Sequence, residues 1–237
     1  MFGVLRRRFP GNVRLIFLEE GIASQVEPLL APGIRTAVLP HPIPGDLIEN
    51  HKAVEADRIQ VGFIGESNPG KGFEYFLELA ERRLPHLELH CIGRSGARYD
   101  RANDALFSTP PATLKLSQAE YDAGVRRNDL IFLPLNRAWY DLVASGTLLD
   151  CVRFGVPPVI VRNAVVTAIE ARYGPFGFVV EDEMACIDLI STMTPRECAE
   201  AMPQFRQALH AIAADRTIDA VAPLFADIGR SEDARPA

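Results

Sequence analysis

The sequence predicts an α/β protein built on a doubly wound parallel sheet. Two patterns and one bulk property carry that prediction. Strand-like apolar runs alternate with segments whose apolar residues recur at helical spacing. The connections between them are short, which implies parallel strands with helices over both faces of the sheet. The chain of 237 residues is 48% hydrophobic and 24% charged, ordinary values for one large globular domain or two small ones.

Taken in order, 13–18 (VRLIFL) reads as a strand, 22–30 as a short amphipathic helix stopped by Pro32-Gly33, and 34–39 as a second strand. The stretch 40–45 (PHPIPG) is an extended linker or turn, because proline lacks a donor and restricts the residue before it. The main boundary is placed between it and Asp57. Beyond the boundary, 58–64 (RIQVGFI) is a strand, 73–83 a helix, and 87–92 (LELHCI) a strand closed by Gly93-Arg94-Ser95-Gly96. Segment 117–127 opens with Ser117 and carries Glu120 three residues on, the pattern of a capping box. Strand 129–133, helix 147–154 ended by Gly155, strand 158–161 and short strand 177–180 follow. The stretch 195–228 is helical by periodicity, and 231–237 is expected to be a frayed tail.

Several function classes are disfavoured. A formal charge of −6 argues against a general nucleic-acid-binding role, which needs a net-basic surface. Cys91, Cys151, Cys186 and Cys198 lie far apart, with no metal-site spacing, and read as reduced thiols of a cytoplasmic protein. No apolar run reaches the ~18–20 residues of a membrane span, and the arginine-containing start lacks the apolar stretch of a secretory signal.

The most informative segment is Gly65-Glu66-Ser67-Asn68-Pro69-Gly70-Lys71-Gly72, between a strand and a helix. Glycines let the backbone turn and bring N–H groups to an anion, the helix N-terminus adds partial positive charge, and Lys71 a full one. A tight turn with a solvated lysine is the plain alternative. The spacing also approaches the P-loop, GxxxxGK[ST]. Gly72 replaces the hydroxyl that would hold Mg²⁺, and Asp129 begins its strand rather than ending it.

The run from Arg58 through Gly96 resembles the opening of the nucleotide-binding domain of GT-B glycosyltransferases, especially the family-4-like (group 1) retaining enzymes. The resemblance continues through Leu116-Ser117 with Glu120-Tyr121 and through Asn128–Pro134. It is most specific where Tyr140–Asp150 leads into Cys151–Ile160, and it extends over Ala168-Ile169-Glu170 and Gly174–Val180. In all it covers about Asp57 to Leu189, and the order and spacing of the motifs carry it.

The resemblance implies a Rossmann-like sheet of GT-B type and a protein that transfers a glycosyl group from a nucleotide-diphosphate sugar with retention, needing no cofactor and no obligatory metal. It implies that Lys71, with Gly65, Ser67 and Gly70, neutralises the donor diphosphate, and that Ser145, Gly146 and Thr147 hold it at a helix start. Asp150 stands where the family has a ribose-binding glutamate, and Gly93, Arg94, Leu116 and Ser117 would flank the base. It further implies a domain plan. Residues 1–56 would be a remnant of the N-terminal domain and linker, 57–194 the nucleotide-sugar domain, and 195–230 the C-terminal helices that cross back. Most of the acceptor domain, ordinarily ~100–150 residues or more, is then absent. A fragment, a partner chain that supplies the rest, or a binding module would each explain that. The acceptor, whether carbohydrate, lipid-linked or protein, is unspecified.

Departures from the family matter too. Glu66 stands where arginine is common, and Leu142 where a second carboxylate falls, with Asp141 one residue off. An anion beside a diphosphate repels it, while Ser67 or Asn68 offer hydrogen bonds. These departures suit the alternative of a non-catalytic nucleotide-sugar-binding or assembly subunit acting with another chain. Other residues carry less. His41 could face the cleft, but a structural role is the plainer reading. His86, His90 and His210 read as surface or helix-packing residues, and Trp139-Tyr140 as core or as a stacking platform. Arg6-Arg7-Arg8 offers three charges to an anionic membrane face, only ~3 kcal/mol of attraction, so a peripheral contact is the weaker reading. Ser145-Gly146 lacks the GxSxG pattern of a hydrolase elbow.

Overall fold

A computed structural model describes residues 14–43, 45, 47–48, 50–135 and 140–230. The expected doubly wound sheet is present. Strands β3 (Ile59–Ile64), β4 (Leu87–Ile92), β5 (Leu130–Leu133), β6 (Pro158–Val161) and β7 (Phe178–Val180) form one parallel sheet in the order β4-β3-β5-β6-β7. Two further strands, β1 (Arg14–Phe17) and β2 (Arg35–Val38), pair in parallel as a separate two-stranded sheet.

Every residue of β3, β5 and β6 is buried, as helices on both faces require. Alternation divides each strand between two cores. Leu130 and Phe132 join one cluster while Ile131 and Leu133 join the other. The first face is covered by helices α2 (Phe73–Glu81) and α6 (Glu183–Thr192), where Phe63, Phe73, Phe76, Phe107 and Phe132 stack or meet edge to face. The second is covered by α4 (Gly146–Phe154) and α5 (Ala164–Tyr173), with Val125 of α3 (Gln118–Arg127). Helix α7 (Pro195–Ala214) contributes to both clusters, Met202 and Phe205 to one and Leu209 and Ile212 to the other.

The N-terminal segment is docked rather than detached. Ile22 and Val26 of helix α1 (Glu20–Val26) belong to the second core, and a Cβ on Gly21 would strike the backbone of Ala164 and Val165, so α1 and α5 approach at van der Waals contact. Arg216 makes a bidentate ion pair with Glu19, both bonds at 2.7 Å and both residues buried.

The helical stretch expected over 195–228 forms as two helices, α7 and α8 (Ile218–Arg230), divided where Arg216 turns inward to Glu19 and Thr217 Oγ1 accepts the Ala220 N–H to start the second. Helices α5 and α6 were not anticipated by periodicity. His90, expected at the surface or in helix packing, is instead buried in β4, with Nδ1 3.0 Å from the Thr109 hydroxyl. Burial there lowers its pKa to about 4. The four cysteines are buried free thiols, and burial pushes Cys186 and Cys198 up to about 12. Arg6-Arg7-Arg8, Trp139 and 231–237 lie outside the described residues. Among the described residues no helix is long and apolar enough to cross a membrane.

Candidate functional site

The strand order contains one reversal. From β3 the chain steps outward to β4, then returns to the other side of β3 to lay down β5. Ligands of open α/β sheets bind at such a switch point, outside the carboxyl ends of the strands. Here those ends are Ile64, which leads into Gly65, and Leu133, which leads into Pro134.

Backbone geometry assembles the floor. Gly65 has φ 113° and Gly93 φ 155°, and a Cβ on Gly93 would collide with the Gly65 carbonyl, so the turns after β3 and β4 touch. The Gly65 N–H donates to the Ile92 carbonyl at 2.9 Å. A single 3-10 turn, Pro69–Lys71, ends in Gly72 at φ 74°, where a side chain would strike Pro134. The whole Gly65–Gly72 loop therefore lies across the switch point. Lys71 folds back over it, since a Cβ on Gly65 would be 2.6 Å from Lys71 Nζ.

A cleft of about 400 Å³ opens beside this floor, lined by Gly65, Glu66, Gly93, Arg94, Leu116, Ser117 and Tyr121 among others. All four residues expected to flank a base are on its wall. Ser117 is committed to the capping box: its Oγ accepts the Glu120 N–H and donates to the Glu120 carboxylate at 2.7 Å, so it shapes the wall rather than offering a free hydroxyl.

Glu66 does not stand alone there. Its carboxylate is 3.3 Å from Arg94 Nη2, an ion pair between the two turns across the cleft wall. Ser67, by contrast, is buried, its N–H donating to the Arg94 carbonyl, and its hydroxyl has no partner. Gly70 is exposed on the turn.

Helix α4 supplies the remaining group. Ser145 Oγ accepts the Leu148 N–H, Gly146 is exposed with nothing within 4 Å of where a Cβ would be, and Thr147 is half-buried. The first-turn N–H groups of Gly146 and Thr147 have no intrahelical acceptor and carry the positive end of the helix dipole. One turn on, Asp150 accepts a short hydrogen bond from the Tyr121 hydroxyl of α3. Burial raises the Asp150 pKa, against the lowering effect of Tyr121, Arg153 and, least, Lys71. Burial and the Asp150 charge raise Tyr121 in turn. Leu142, at the family's second carboxylate position, is 38% exposed.

The structure thus brings Gly65, Lys71, Gly93, Arg94, Leu116, Ser117 and Asp150 to one end of the sheet. The Tyr121 hydroxyl on Asp150 and the Arg94–Glu66 pair were not foreseen. His41 is turned to its own linker, with Nδ1 2.9 Å from the Pro42 carbonyl.

A doubly wound parallel sheet of this order is a Rossmann-like fold of GT-B type, and solved glycosyltransferase structures share it. Sucrose-phosphate synthase from Thermosynechococcus elongatus superposes with a TM-score of 0.67 at 14% identity, over 98% of this chain and 60% of its own. Anabaena HepE, crystallised with UDP and glucose, matches at TM-score 0.60 and 12% identity, over 93% of this chain and 62% of its own. The GtfA/B complex matches at TM-score 0.58 and 14% identity, over 92% and 45%. The chain therefore spans 45–62% of these proteins' lengths, and at such identities the likeness is one of fold. No family model and no curated protein sequence matches the chain.

Proposed function

We propose that this chain binds a nucleotide-diphosphate sugar at the switch point and acts in glycosyl transfer. The observation that carries the reading is Lys71 folded over Gly65 at a cleft of about 400 Å³ whose wall residue Tyr121 donates to Asp150, one turn into α4. In this reading the diphosphate lies between Lys71 and the N–H groups of Gly146 and Thr147, and Asp150 accepts from the ribose while Tyr121 holds its second interaction. The base sits between the Gly93-Arg94 turn and Leu116-Ser117. Departure of the nucleoside diphosphate is then favoured by preorganised donors, with no group of this chain required as a metal ligand. Retention of configuration follows from the sequence resemblance to the group 1 enzymes. HepE was crystallised with UDP, which makes UDP the first ligand to try.

A second reading has its own support. Glu66 on the cleft wall and exposed Leu142 remove two charges that favour turnover, and the GtfA/B complex, a two-component assembly by its name, shares the fold. Here the chain is a nucleotide-sugar-binding or assembly subunit, and a partner chain supplies the acceptor side. Both readings place the protein in the cytoplasm, where nucleotide sugars are made available.

A thermal-shift screen of UDP, GDP and ADP, followed by donor hydrolysis and transfer assays, tests the proposal. A ligand at 100 times its dissociation constant adds ~2.7 kcal/mol, or a rise of roughly 5–10 °C for a chain of this size. Turnover supports the enzyme; binding without turnover supports the subunit; no shift with any nucleotide contradicts both.

A further inference from the structure

Tyr121 belongs both to the wall of the donor cleft and to the surroundings of Asp150. It stands one helical turn after Ser117, whose carbonyl accepts the Tyr121 N–H at 3.0 Å, so the two residues share one face of α3. From that face its hydroxyl crosses to α4 and donates to Oδ2 of Asp150. The carboxylate of the next residue, Asp122, lies 3.7 Å from the guanidinium of Arg153, one turn beyond Asp150. Two successive residues of α3 are thus matched to two of α4.

Asp150 is half-buried among groups of both signs. Burial raises its pKa, and the Asp122 charge adds to that. The Tyr121 hydrogen bond is the largest opposing influence, ahead of the charges of Arg153 and Lys71. Tyr121 is itself pushed up by burial and by the Asp150 charge, so at neutral pH it stays a phenol and donates to this carboxylate. A carboxylate held at one oxygen keeps its other oxygen in one direction, which is how a supporting hydrogen bond preorganises a binding group.

We propose that Tyr121 is a positioning residue for nucleotide binding: its hydroxyl fixes the Asp150 carboxylate so that Oδ1 is presented to a ribose hydroxyl. The inference rests on the nucleotide reading of the switch point and adds the residue that makes a half-buried aspartate usable as an acceptor. Without that donor the carboxylate takes up a proton more readily, and the neutral acid accepts more weakly.

UDP and inorganic pyrophosphate are titrated calorimetrically into the full chain as wild type, Tyr121→Phe and Asp150→Asn, between pH 8 and pH 5. Tyr121→Phe removes only the hydroxyl and keeps the ring. It is expected to weaken UDP binding about threefold at pH 8 and about tenfold or more at pH 5, because its Asp150 protonates at a higher pH than in wild type. Ionisation of the UDP phosphates is common to all three proteins and cancels in the ratio of affinities. Pyrophosphate, which has no ribose, is expected to bind wild type and Tyr121→Phe equally. A ratio that stays constant with pH, equal UDP affinity in wild type and Tyr121→Phe, or an equal loss for pyrophosphate overturns the role of Tyr121 and leaves the nucleotide site standing. Undiminished UDP binding by Asp150→Asn, or no UDP binding by wild type, overturns the nucleotide reading and this inference with it.

Discussion

Replacing Glu66 by Gln should tighten UDP binding, an outcome opposite to the usual effect of altering a residue on a binding surface. Glu66 and Arg94 line the cleft together and pair at 3.3 Å, with side chains 35% and 60% exposed. At a separation on the order of 8 Å from that carboxylate, each unit charge of a diphosphate is repelled by roughly 0.5 kcal/mol at a water-like dielectric and roughly 1 kcal/mol at half of it. A diphosphate carries about two charges, but screening at physiological salt, with a Debye length of ~8 Å, cuts the effect by more than half. The substitution also frees Arg94 from an exposed ion pair worth at most ~1 kcal/mol. The sum is about 1 kcal/mol, or roughly a fivefold fall in Kd. Calorimetric titration of UDP into wild type, Glu66→Gln and Arg94→Gln at low and high salt measures it. Glu66→Gln should bind more tightly and Arg94→Gln more weakly, both differences shrinking as salt rises. Weaker or unchanged binding by Glu66→Gln at low salt would refute the electrostatic argument and the placement of the diphosphate with it.

Other expectations follow from the same geometry. Gly21→Ala should destabilise the fold by ~1–3 kcal/mol in chemical denaturation, because its new methyl meets backbone of α5 that has no side chain to move aside. Arg216→Met should cost ~3–5 kcal/mol by leaving Glu19 charged and buried, and adding Glu19→Leu should recover much of it. Asp150 has a raised pKa in the folded chain, so its contribution to stability is present below the unfolded value and is lost as pH rises through the folded one. The Tm of Asp150→Asn relative to wild type should therefore increase from about pH 3.5 upward, and a difference that falls with pH would contradict the burial of this carboxylate.

The sheet was readable because its strands are apolar on both faces, so 58–64, 129–133 and 158–161 stand out without help from tertiary contacts. The capping box of Ser117 and Glu120 was equally local and formed as expected. Helices α5 and α6 were missed because their apolar residues do not gather on one side. Their N-caps were visible, since Asn163 and Asp182 each accept an N–H three residues on. The site was legible in its loops and not in its pairs. The Glu66–Arg94 pair depends on β3 and β4 lying side by side, and the Tyr121–Asp150 bond on α3 meeting α4, contacts that no spacing within a segment encodes.

If Lys71 grips a diphosphate at the sheet's switch point, UDP titrated in parallel into wild type and Lys71→Ala must bind the two proteins differently. A lost charge-assisted contact of ~2 kcal/mol predicts a Kd about thirtyfold higher in the variant with its melting temperature preserved. Equal affinity in the two proteins, or no UDP binding by wild type under conditions where the chain is folded, would contradict it.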